Sequence, residues 1–320
     1  MAVAVLLVLR ALGLGDLLTG VPALRGLRRA YPDHRLLLAT PPELAGLALA
    51  TGAVDQVVPA RGLAPLTGPA GPDVAVNLHG RGPESHRLLR ALRPRRLVAF
   101  RSAEAGHAEG PAWRPGEYEV ARWCRMLAAH GIPSDPADLA LPPPPTTRPG
   151  HVVVHPGAAH PRRRWPAERF AAVARGLAEA GGDVVVTGSA AEEELAGRVA
   201  GAADLPADAV LAGRTDAGEL AGIVAGARLV VCGDTGVAHL ASAFGTPSVL
   251  LFGPVSPAEW GPPPGRPAHV VLWHGPGTDD GTGAVDPALR TITVAEVLEA
   301  AAGLLGGRTQ PAAPSMPTAR

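Results

Sequence analysis

The sequence predicts an α/β fold made of two doubly wound domains, and three observations carry that reading. Apolar runs of strand length alternate with helix-length amphipathic segments along nearly the whole chain. A proline-rich stretch divides this alternation into two similar halves. Strand-to-helix turns rich in Gly, Asp and Thr recur where open α/β sheets bind their ligands.

The first half reads as strand Val3–Leu9, a helix from about Asp16 to Ala30, strand Arg35–Ala39, helix Pro42–Ala50 and strand Val54–Val58. Strand Asp73–Leu78, helix Glu84–Leu92, strand Arg96–Phe100 and a helix near Glu117–His130 follow. Each strand is a short, β-branched or leucine-rich run with apolar residues at successive positions, the pattern of a strand covered on both faces. Pro133 to Gly150 has little periodicity and contains Pro142-Pro143-Pro144-Pro145, which predicts a stiff linker. Alternation then restarts with strand His151–His155, helix Ala167–Ala180, strand Asp183–Thr187 and helices Ala191–Ala200 and Ala217–Gly226. Strand Arg228–Cys232, helix Val237–Phe244, strand Ser248–Phe252, a strand near His269–Trp273 and a helix from Val294 to Leu305 complete it. The expected division is a first domain over residues 1–140, a linker over 141–150, a second domain over 151–305 and a frayed tail over 306–320.

Composition narrows the chemistry. The 320 residues are 47 % hydrophobic and 18 % charged, enough apolar material for two cores and too much for a disordered chain. All 29 basic residues are arginine, so neither a Schiff-base lysine nor a P-loop lysine exists. Formal net charge is zero and the aromatic fraction is 3 %, which argues against a nucleic-acid partner and allows at most peripheral, local membrane contact. Cys124 and Cys232 form no metal or disulfide spacing. The apolar start, Ala2 to Leu9, lacks a basic n-region, ends at Arg10 with Asp16 soon after, and is too short to span a bilayer, so it reads as a buried first strand. The expected location is the cytoplasm.

Four turns could carry chemistry. Leu12-Gly13-Leu14-Gly15-Asp16-Leu17-Leu18 begins like a dinucleotide fingerprint, but Leu18 stands where the third glycine should be. Gly13 and Gly15 permit a tight turn, and Asp16 lands at a helix start, pointing into a cleft. Local sequence alone favours Asp16 as an N-cap, worth about 1 kcal/mol. His155-Pro156-Gly157-Ala158-Ala159-His160-Pro161-Arg162-Arg163-Arg164 follows a strand and precedes a helix, so three arginines could clamp a pyrophosphate. Cys232-Gly233-Asp234-Thr235-Gly236-Val237-Ala238-His239 runs from a strand into a helix whose free amides, with the Thr235 hydroxyl, make an anion cradle. Asp234 there could bind sugar or ribose hydroxyls, or be a cap, and His239 could be core packing. Glu192 and Glu193, after Gly188-Ser189, could hold a ribose or merely complement the helix dipole. The arginines at 81, 87, 90, 93, 95, 96 and 101 read as a solvated face rather than an anion patch. No Asp-x-Asp pair, His-Glu-x-x-His or Gly-x-Ser-x-Gly elbow is present, so no metal site and no cofactor are expected.

Taken together, Leu14-Gly15-Asp16…Pro22-Ala23-Leu24, His155-Pro156-Gly157-Ala158, Arg163-Arg164-Trp165-Pro166 and Asp234-Thr235-Gly236-Val237-Ala238-His239 resemble glycosyltransferase family 9, the ADP-heptose:lipopolysaccharide heptosyltransferase family. The resemblance implies a GT-B fold, with the acceptor on the first domain and the nucleotide-sugar on the second. It implies inverting, metal-independent transfer from an NDP-sugar, ADP-linked, to a hydroxyl of a cell-envelope glycan or glycolipid. The family's catalytic aspartate falls on Asp16, reversing the local reading as a cap. Arg163 falls where the family usually has lysine, so a guanidinium would hold the donor phosphate. Thr235, Gly236 and Val237 match the segment whose amides meet the diphosphate, Asp234 its sugar-contacting acid, and Glu192 or Glu193 its ribose-binding acid. Two other readings remain: a nucleotide-sugar epimerase on the same scaffold, or a non-catalytic nucleotide-sugar-binding protein.

Overall fold

A computed structural model describes residues 3–68, 70–146, 148–275 and 285–306. The first half contributes β1 (Val5–Leu9), α1 (Leu14–Thr19), α2 (Val21–Ala30), β2 (Arg35–Thr40), α3 (Ala45–Ala50), β3 (Gln56–Pro59), β4 (Val74–Asn77), α4 (Glu84–Ala91), β5 (Arg96–Val98) and α5 (Glu119–Ala129). The second contributes β6 (Val152–His155), α6 (Ala167–Glu179), β7 (Val184–Val186), α7 (Glu193–Ala202), α8 (Ala217–Gly226), β8 (Leu229–Gly233) and α9 (Gly236–Phe244). It ends with β9 (Ser248–Leu251), α10 (Pro257–Trp260), β10 (His269–Leu272), α11 (Pro287–Thr291) and α12 (Val294–Gly306).

The strands form two five-stranded sheets in which every pairing is parallel. The central strands are buried, β6 and β8 along their whole length and β1 from Leu6 onward, because helices cover both faces. The sheets differ in order. The first runs β3-β2-β1-β4-β5 and the second β10-β9-β8-β6-β7, so the direction of winding reverses between β1 and β4 in one and between β6 and β8 in the other. Crevices open at the carboxyl ends of strands at such reversals. The loops after β1, β6 and β8 are the three with the strongest chemical motifs.

Several elements differ from the sequence expectation. The single helix expected from about Asp16 to Ala30 is broken at Gly20 into α1 and α2. A Cβ at Gly20 would stand 3.0 Å from Cδ of the buried Arg10, so the break lies where the backbone passes against a guanidinium. The helix expected at Ala191 begins as a 3-10 turn over Ala190–Glu192 before α7. Short α10 and α11 were not expected, since neither has room for a helical apolar period.

The proline-rich segment is docked against the second half. Cβ atoms at Gly222 and Gly226 of α8 would lie 2.7 Å from the Pro145 carbonyl and 2.5 Å from Thr146 Oγ1, so two glycines one turn apart seat it. One apolar cluster joins the halves, containing Leu17, Leu18 and Trp123 from one side and Val237, Ala238 and Leu240 from the other. Most of the expected tail, 307–320, lies outside the described residues. Among those described, no helix is long and apolar enough to cross a membrane.

Candidate active site

Helices α1 and α9 pack against each other where the two crevices meet, and glycines set how closely they approach. A Cβ at Gly15 would lie 2.7 Å from His239 Cδ2, and one at Gly236 would lie 2.9 Å from Leu14 Cβ. Real side chains do not approach that closely, so both positions need the bare backbone. Beside this seam is a cavity of about 400 Å³, lined by Gly13, Leu14, Gly15, Asp16, Ala159, Arg163, Asp234, Thr235, Gly236, His239 and Trp260. Three turns far apart in sequence thus contribute to one cleft.

Asp16 is not the N-cap. Gly13 occupies that position, and Asp16 sits three residues later with its Oδ2 accepting from the Gly13 amide at 3.2 Å. Its side chain stays 28 % exposed, open to the cleft. Behind it lies Arg10, wholly buried at the carboxyl end of β1. The Arg10 guanidinium donates to the carbonyls of Asp16 and Leu78 and to Thr19 Oγ1 at 2.9 Å. It also pairs with Glu119 at 3.5 Å and with Asp16 Oδ1 at 3.8 Å, and lies 4.8 Å over the Trp123 ring. A buried charge with this many partners fixes the backbone that carries Asp16.

On the opposite wall, Arg163 Nη1 donates to Asp234 Oδ2 at 3.2 Å. Burial pushes the Asp234 carboxyl up from its ordinary range, Arg163 pulls against it, and the facing Asp16 charge adds to the upward push. Thr235 caps α9 by backbone position alone. Its hydroxyl is buried and makes no hydrogen bond of normal geometry, with the Cys232 thiol beside it. The first amides of α9 have no intrahelical acceptor and carry the positive end of the helix dipole. Val237 contributes only backbone, because its side chain is core. His239 is held neutral, its imidazole pushed down to about 4 by burial against a smaller upward pull from Asp16.

The three-arginine clamp is not formed. Pro161–Arg163 is a 3-10 turn, and at three residues per turn consecutive side chains fan apart. Arg162 pairs with Asp286 at 3.6 Å, Arg164 bonds the Ala158 carbonyl at 2.9 Å, and only Arg163 reaches the cavity. Glu192 and Glu193 do not line it either. Glu192 caps its own turn, accepting from the Ser189 amide at 2.9 Å, and its carboxylate leaves no room for a Cβ at Gly157. Glu193 is exposed near Gly213. His155 pairs with Thr187 Oγ1 at 3.0 Å in the core. The arginines of the first half are largely tied to the protein itself: Arg87 to the Glu104 carbonyl, Arg90 to those of Ala105 and Gly106, Arg96 to Tyr31 and His130.

Two residues of the site escaped the sequence reading, Arg10 behind the cleft wall and Trp260 in the cavity lining. Arg10 showed only as the charged stop of an apolar run. Trp260 stood in a Pro-rich stretch without a motif. Among the described residues, no group of three or more His, Cys, Asp or Glu is placed to hold a metal ion.

Residues 134–279 match the sequence profile of glycosyltransferase family 9 (heptosyltransferase). Over 158 residues the chain is 32 % identical to Lipopolysaccharide heptosyltransferase 2 of Escherichia coli (strain K12), a match covering 47 % of this chain and 45 % of that protein. The sequence match thus spans under half the length of that curated relative. Similarity in fold is wider. The structure of E. coli ADP-heptose lps heptosyltransferase II superposes with a TM-score of 0.75 at 21 % identity, over 94 % of this chain and 98 % of that one. A family 9 glycosyl transferase from Veillonella parvula gives 0.75 at 20 % identity, over 95 % and 98 %. The chain therefore has the GT-B arrangement of these structures, two parallel sheets facing across a cleft, and its residues 134–279 are similar to glycosyltransferase family 9.

Proposed function

We propose that the chain is an inverting glycosyltransferase that moves a sugar from an ADP-linked donor, a heptose as in the named relatives, to a hydroxyl of a cell-envelope glycan or glycolipid. The observation that carries this reading is that Asp16 faces the Arg163–Asp234 pair and the start of α9 across one cavity. The donor diphosphate binds against α9 and Arg163, and the sugar extends toward α1. Asp16 takes the proton of the acceptor hydroxyl while that oxygen attacks the anomeric carbon. The bond to the diphosphate breaks on the opposite face, so the anomeric configuration inverts. Arg163 and the amides of Gly236 and Val237 take up the charge that develops on the leaving group. That role needs no divalent ion. Asp234 holds a sugar hydroxyl, and Glu192 or Glu193 serves the ribose once the donor is seated. The acceptor enters over Gly13 and Gly15, at the cytoplasmic face of the membrane where it is lipid-linked.

The test is to incubate the full chain with ADP-heptose, with and without a panel of glycan acceptors, in excess EDTA. Acceptor-dependent ADP release giving a product of inverted configuration is the expected result. Conversion of the donor sugar without acceptor would point to an epimerase. Activity lost in EDTA and restored by magnesium would overturn the metal-free mechanism.

A further inference from the structure

We infer that Trp260 is the platform on which the ring of the transferred sugar lies, so that this indole reads the sugar and not the nucleotide. The inference rests on the donor reading above and assigns its sugar subsite. If the diphosphate sits against α9 and Arg163, and Asp16 is the base, the sugar must occupy the cavity between them. The polar lining there, Asp16, Arg163, Asp234, Thr235 and His239, can bond hydroxyls and phosphate oxygens. A pyranose also has a face of C–H groups that hydroxyl-binding side chains leave unsatisfied. Trp260 supplies the only aromatic carbocycle among the residues lining that cavity. Aromatic faces carry partial negative charge and attract such C–H groups, in addition to the apolar area they cover.

The ring is held for this use. It stands edge-on to His239, with centroids 6.0 Å apart at 71°, and His239 is wedged against Gly15. Its short helix is capped by Ser256, whose Oγ accepts from the Ala258 amide at 3.1 Å. Three other tryptophans are bonded through the indole nitrogen: Trp123 to Glu119, Trp165 to the Ile292 carbonyl and Trp273 to the Gly253 carbonyl. Trp260 makes no directed side-chain interaction beyond His239 among the described residues.

The experiment is calorimetric titration of the full chain and of Trp260→Leu and Trp260→Phe with ADP and with ADP-heptose. ADP should bind all three alike. ADP-heptose should bind Trp260→Leu about tenfold more weakly, the size of a lost aromatic contact, with Trp260→Phe close to the unmodified chain. ADP-heptose should also change the tryptophan fluorescence of the unmodified chain, and Trp260→Phe should abolish that change. Equal loss of both ligands in Trp260→Leu would make Trp260 a packing residue and overturn the inference, as would no loss of either. Binding of ADP-heptose to the unmodified chain tests the donor reading separately, since the inference depends on the ratio of the two affinities in the variants.

Discussion

The two walls of the cleft are built on opposite plans. On the α1 wall the buried Arg10 behind Asp16 is bonded to the carbonyls of Asp16 and Leu78, to Thr19 and to Glu119. That wall is set before any ligand arrives. On the α9 wall the groups are paired with one another or left without a partner: Arg163, 35 % exposed, leans on Asp234, and the Thr235 hydroxyl lacks a normal hydrogen bond. On the donor reading proposed above, that wall exchanges partners when a diphosphate enters. The difference teaches which half of the reaction each wall can serve. A proton acceptor must be aimed in advance, whereas a phosphate site can be kept satisfied by its own countercharge until the ligand replaces it.

The largest test of this contrast is Asp16→Asn. Asn can still accept from the Gly13 amide, so the melting temperature and ADP affinity should stay unchanged. The transfer rate should drop by about 10²–10⁴-fold, the usual share of general acid–base catalysis. A near-normal rate would show that the α1 wall is structural only. The next effect belongs to the other wall. Arg163→Ala removes a charge-assisted contact worth about 1.5–3 kcal/mol, so ADP should bind one to two orders of magnitude more weakly by calorimetry. Asp234→Ala should weaken ADP-heptose more than ADP; unchanged affinities in both variants would move the donor elsewhere. The smallest effect concerns the seam between the walls. Gly15→Ala drives a methyl into the His239 ring, and overpacking of this kind costs about 1–3 kcal/mol. A lowered melting temperature measures it; an unchanged one would mean that α1 and α9 part freely.

The same contrast explains what could be read from the chain alone. The α9 wall is written in consecutive residues, Asp234 to His239, and its strand-to-helix turn was legible because one local pattern supplies both the amides and the acid. Asp16 was legible as a position but was given the wrong place in its helix, because glycine at the N-cap offers no side-chain signal. Arg10 was not legible as part of a site. Its partners Leu78, Glu119 and Trp123 come from other elements, and only the packed fold brings them together. Trp260 was missed for the same reason. The arginine triplet misled because charge can be read from sequence while side-chain direction depends on a local 3-10 turn. Strand and helix alternation gave the fold class, yet identical alternation encodes two different strand orders. The choice between them lies in long-range packing.

The contact of Gly15 with His239 and of Gly236 with Leu14 also acts as a fulcrum. It lies at the edge of the cavity, beside the base, so any widening of the mouth has to swing about it. Such a swing moves the outer rim far and the carboxylate hardly at all. On the donor reading proposed above, the bare backbone at Gly15 and Gly236 sets how far Asp16 stands from the first turn of α9, the span a transferred sugar would bridge. On the same reading, a donor sugar of different size would meet Asp234 and Trp260, which line the cavity.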